Sequence, residues 1–131
     1  MEGIAGALGK QDDVAFYASE SDAFKKRFIR SFFDVRKGYF TDGLAADTDH
    51  ASLHGNMFPL AFDLVPAGKK QNVVDFIQTR GMACSVYGSQ FLMDALYEAN
   101  DAEYALHMLT KTDDRSWYNM IRVGSTISLE A

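Results

Sequence analysis

Apolar residues along the chain return at three- and four-residue spacing, the period of a helix face and not of a strand. Between about Asp13 and Val35 this spacing lines up Phe24, Phe28 and Phe32, with Ile29 and Phe33 beside them. Lys25, Lys26, Arg27 and Arg30 supply a solvated face. Residues 1 to 8 read as a helix that lacks an N-terminal cap and stops at Gly9. After the turn-rich "KGYFTDG", Asp47 or Thr48 is predicted to cap a third helix running to about Leu64, with Pro66 helping to end it and Pro59 kinking it. Three more follow, from about Lys69 to Arg80, from Ser85 to Ala99 and from Asp101 to Thr110, before a less regular stretch from Ser116 onward. Strands are hard to find, and the fold class is all-α.

The connections are a few residues long, so consecutive helices are expected to form antiparallel hairpins. The helices also differ in kind. The second, fourth and sixth carry charged faces, whereas "HASLHGNMFPLAF" and "CSVYGSQFLMDAL" have few charges and many small or uncharged polar residues. A helix wetted on one side needs a charged face; one surrounded by helices needs small residues and only those polar groups that find partners. Alternation of the two kinds predicts charged helices outside and uncharged ones inside, as in part of a toroid of helical hairpins. A helical-repeat module binding a peptide is the rival architecture. It calls for a repeat of about 34 residues, and the sequence shows no such self-similarity.

Composition narrows the classes of function. With 131 residues and 47% hydrophobic content the chain can bury a core of its own. A net charge of -5 with scattered basic residues gives no footprint for nucleic acid or an anionic membrane. No apolar run reaches the roughly 20 residues of a membrane span, and "MEGIAGALGKQDD" lacks the pattern of a signal peptide. A soluble chain is expected, its parent cytoplasmic or periplasmic. Cys84, the only cysteine, is read as a small buried hydrophobe.

The candidate chemistry is polar and aromatic. "HASLH" sets His50 and His54 four apart, the spacing of a zinc-binding pair, but Ala51 stands where a zincin has glutamate and no third ligand is at hand. No metal and no cofactor are expected. His54 and Asn56, on an uncharged inner helix, are read as donors aimed at a polar ligand such as a sugar. "DRSWYNMIR" gathers Trp117 and Tyr118 beside Arg115, Asn119 and Arg122, a composition that suits a sugar ring as well as it suits a core. Tyr39, Asp42 and Tyr87 are further candidate contacts. Glu130 follows the hydroxyl-rich "GSTISL" and is either a tuned carboxylate or an exposed one. For a second carboxylate Asp42, Asp47 and Asp49 are available, and spacing singles out none of them.

The ordered series "YFTDG", "HASLHGNMFPLAFDLVP", "SVYGSQFLMDALYEANDAEYALHML" and "DRSWYNMIRVGSTISLEA" resembles the catalytic domain of bacterial α-L-rhamnosidases, six-hairpin glycosidases of glycoside hydrolase family 78. The resemblance spans nearly the whole chain. It implies an (α/α)6 barrel and the hydrolysis of terminal α-L-rhamnosides with inversion, although related six-hairpin enzymes act on other sugars. By position it makes Glu130 the general base, with a partner acid about 6.5 to 9.5 Å away so that a water fits between them. His54, Asn56, Tyr87 and Trp117 become candidate substrate contacts. Leu129 stands where the family usually has Trp, "HGN" where many members have Thr-Gln, and the acid-bearing segment has no counterpart here. The expectation is therefore that residues 1–131 are the C-terminal part of such a domain, truncated at both ends and inactive without the remainder of the parent barrel.

Overall fold

The phenylalanines at four-residue spacing do share a helix. In a computed structural model, which describes residues 1–44 and 47–126, helix α2 spans Gln11–Phe32. The rings of Phe24, Phe28 and Phe32 follow one another along it at 5.9 and 5.2 Å. Before it, α1 (Glu2–Ala7) ends at Gly9, whose φ of 70° lets the amides of Gly9 and Lys10 turn back to the carbonyls of Gly6 and Ala5. The two helices pack on each other.

α2 stops three residues short of the expected Val35, and the chain enters a two-stranded antiparallel ribbon, β1 (Phe33–Asp34) and β2 (Tyr39–Phe40). Asp34 causes the change. Its buried carboxylate accepts from the amides of Arg36 (2.8 Å) and Lys37 (3.2 Å), and its carbonyl accepts from the Gly38 amide. An aspartate that binds the backbone ahead of it offers a turn in place of further helix. Gly38, at φ 83°, completes that turn.

The third helix also begins later than expected. Neither Asp47 nor Thr48 caps it; the Thr48 hydroxyl accepts from the His50 amide instead. Helix α3 is His54–Ala61, running through Pro59 and ending two residues beyond it. Thereafter the expected order holds, with α4 (Lys70–Arg80), α5 (Val86–Glu98), α6 (Ala102–Thr110) and a short α7 (Trp117–Arg122). The side chains of Ser85 and Ser116 cap α5 and α7, accepting from the Gly88 and Asn119 amides at 3.1 and 3.0 Å.

The two layers are visible in the packing. α3 lies along α5, α4 covers α3, α6 covers α5, and α7 follows against α6. Between α3 and α5 the small residues allow close approach: a Cβ on Gly88 would stand 3.3 Å from Met57 Cε and 3.1 Å from Cys84 Cβ. Leu53, Met57, Leu60, Val73, Ile77, Leu92 and Leu96 form the centre of the core, with Phe40 of the ribbon wholly buried among them. The described residues are thus all-α apart from one minimal ribbon, in hairpins with uncharged helices inside. Among the described residues no helix is long and apolar enough to cross a membrane.

Candidate functional site

Hairpins laid side by side with short turns bring inner helices into the same direction, so their N-terminal ends share one end of the fold. At that end lies a cleft of about 640 Å³, bounded by His54 at the start of α3, by residues Met82 to Val86 before α5, and by Asp114 to Trp117 before α7. Its size is ordinary for a small-molecule site. Cys84 forms part of the wall, and burial pushes its thiol pKa up, which suits the reading of a packed hydrophobe and not of a nucleophile.

Two of the expected contact residues border this cleft, His54 and Trp117. Tyr87 does not. It lies in the first turn of α5 with 77% of its surface exposed, one residue past the cleft-lining Val86 and so about 100° further round the helix. Asn56 turns inward. Fully buried, its Oδ1 accepts from the Phe40 amide (2.9 Å) and its Nδ2 donates to the carbonyls of Phe40 and Ser52 (both 3.0 Å), which leaves the carboxamide no role at the cleft. Its work is to close the free edge of β2. Glu130 lies outside the described residues.

Asp42 is the best-connected candidate carboxylate. Its Oδ1 accepts from the amide (3.0 Å) and the hydroxyl (2.8 Å) of Ser52, and its Oδ2 meets His50 Nδ1 at 2.5 Å. The Ser52 hydroxyl in turn accepts from the Gly55 amide at 3.0 Å, so this network ties down the first turn of α3. Gly55 is required there: a Cβ would stand 2.6 Å from Asp42 Oδ1. Burial raises the Asp42 pKa, but the Ser52 bonds and His50 outweigh it, and the carboxyl sits below its ordinary value. A group held ionised in this way is a poor proton donor at the pH of hydrolysis, so Asp42 is unsuited to be a general acid. The same network removes the zinc-like histidine pair. His50 precedes the helix and points to Asp42, while His54 opens the helix and borders the cleft.

Asp49 and Asp34 are likewise structural. Asp49 pairs with Lys37 at 2.5 Å, and that lysine also lies 3.9 Å from Asp34. The Asp34 pKa is lowered first by the Arg36 amide and then by that of Lys37, partly opposed by burial. The acid that borders the cleft, Asp114, is paired with Arg122 at 3.0 Å.

From sequence alone Trp117 and Arg115 stood out by their composition, whereas the other wall, Met82 to Val86, carried no signal. What could have marked it is the Ser85 cap followed by Gly88, since these fix where an inner helix starts and how close it comes to its neighbour.

The family described as bacterial alpha-L-rhamnosidase 6 hairpin glycosidase domain matches residues 1–131. No curated protein and no solved structure matches the chain.

Proposed function

The chain belongs to the six-hairpin glycosidase domain family of bacterial α-L-rhamnosidases, and from that premise we propose that it forms part of the catalytic barrel of an enzyme that hydrolyses terminal α-L-rhamnosides with inversion. Membership makes it glycosidase-like, with carbohydrate as the substrate class. The single observation that carries the finer reading is the cleft where the inner helices begin, with a histidine and the chain's only tryptophan on its border. An aromatic face can stack on the C–H face of a sugar ring while imidazole and neighbouring groups read its hydroxyls.

In this reading His54 and Trp117 hold the sugar, and Glu130, a few residues beyond α7, is the base that takes a proton from the attacking water. The general acid is supplied from elsewhere in the barrel, because the carboxylate best fixed beside α3, Asp42, is held ionised. Six hairpins need two helices each, and the described residues hold seven helices altogether. Residues 1–131 alone are therefore expected to release no sugar from any aryl glycoside.

The test is a panel of aryl glycosides offered to the intact enzyme that carries this segment. α-L-Rhamnoside is expected to be cleaved well above the others. Preference for a different sugar would move the substrate without moving the fold; cleavage of none would overturn the proposal.

A further inference from the structure

The hairpins form an open row. Packing runs from α1 on α2, through the ribbon to α3 and α4, on to α5 and α6, and ends with α7 on α6. With α3, α5 and α7 inside and the charged α2, α4 and α6 outside, the described residues make three of the six hairpins of the family's domain. A row has two ends. At each of them a helix turns to solvent the flank that, within the row, meets a neighbour.

Both ends are apolar. At the first, Ile4, Leu8, Phe16 and Phe24 are each more than half exposed, and α1 packs chiefly on α2. At the other, the Tyr104 hydroxyl donates to the Gln78 carbonyl at 3.2 Å, so that side of α6 faces α4. Leu106 and Leu109 follow Tyr104 by about 200° and about 140° round the helix and so face away from α4. Both are exposed. By contrast α4, with the ribbon on one side and α6 on the other, buries Val73, Val74, Phe76 and Ile77. A flank meant for water carries charge, and an exposed apolar one marks a surface that another surface covers.

We propose that two copies of the 131-residue chain close on each other as a ring of six hairpins, the α1–α2 end of each copy packing on the α6–α7 end of the other. Number favours a second copy as the occupant. Three hairpins from each copy make the six of the family, and each copy brings one end of each kind, so a symmetric dimer covers all four ends. The proposal rests on the row and on family membership, and it is independent of which sugar the enzyme takes. Where a longer parent supplies further hairpins, they take the partner's place.

Sedimentation velocity on the 131-residue chain, from about 1 to about 100 µM, is expected to show one species of twice the chain's mass at the upper concentrations and none larger. Phe16→Glu and Leu106→Glu, one at each end, should each raise the dissociation constant at least about hundredfold, because either change puts an unpaired carboxylate into both seams. Both side chains already lie more than half in solvent, so each variant should keep the helix content of the unaltered chain. Mixed in equal amounts, the two variants should pair more tightly with each other than either does with itself. One seam of the mixed pair carries both changes and the other carries neither. A chain that stays monomeric at the upper concentration, a mass that keeps growing, a dimer that survives either change, or variants that do not pair on mixing would each overturn the proposal. Survival of Leu106→Glu beside loss with Phe16→Glu is what pairing of α2 with its own copy would give.

Discussion

In the intact enzyme, Glu130→Gln is expected to lower kcat on an aryl α-L-rhamnoside by two to four orders of magnitude, about 3 to 5 kcal/mol of transition-state stabilisation, with KM nearly unchanged. Glutamine keeps the size of glutamate and can still hold a water, but it cannot take the water's proton. The loss therefore falls on the step in which oxygen attacks the anomeric carbon and leaves substrate binding alone. Glu130 follows a run of glycine, serine, threonine and apolar residues, "GSTISL", that offers hydroxyl donors and little competing charge. It comes soon after α7, whose capping end borders the cleft. Unaltered thermal unfolding of the variant, beside the lost rate, separates chemistry from damage. A kcat near that of the parent would mean that Glu130 is a surface carboxylate.

Asn56→Ala should cost the isolated chain about 2 to 5 kcal/mol of folding stability, a large share of what a domain of this size possesses. The backbone explains why. Phe33 and Phe40 are paired across the ribbon, and the Thr41 amide bonds back to the Phe32 carbonyl. The amide and carbonyl of Phe40 instead meet the Asn56 side chain, at 2.9 and 3.0 Å. One carboxamide thus stands in for a third strand. Alanine would leave a donor and an acceptor of Phe40 without partners in a wholly buried place, together with the cavity of the lost side chain. Asn56→Asp should be nearly as harmful, since an oxygen would then face the two carbonyls that the amide nitrogen now serves. Denaturant titration gives the answer; a loss under about 1 kcal/mol would show that water replaces the amide at no great cost.

The helices α4, α5 and α6 were legible almost to their ends, because each begins near a serine, lysine or aspartate and closes at or near a glycine, an asparagine or a change of polarity. The alternation of charged and uncharged helices correctly gave the layers, since it records which face meets water. The cap of α3, Leu53, lies five or six residues beyond the expected Thr48 or Asp47, for a reason that sequence hides. Asp47 and Thr48 have the chemistry of a cap, but Asp42, far back along the chain, binds Ser52 and fixes the first turn later. The ribbon of two residues per strand is too short to show a period at all.

The site divides in the same way. His54 and Trp117, singled out by residue type as candidate contacts, both border the cleft, because each begins a helix whose N-terminal end faces it. Asn56 carried the same signal for a different purpose. Its value depends on the bare edge of Phe40, a contact sixteen residues away in sequence. Tyr87 carried the same signal but lies outside the cleft lining, because an aromatic residue in a polar context is equally suited to solvent and one step along a helix turns it away from Val86.

The most direct measurement is the proton NMR spectrum of the sugar released by the intact enzyme during the first moments of α-L-rhamnoside hydrolysis. A base that activates water on the face opposite the leaving group inverts the anomeric centre. The account predicts that β-L-rhamnose appears first and only afterwards equilibrates with the α anomer. The α anomer appearing first, from enzyme that does cleave the rhamnoside, would contradict it.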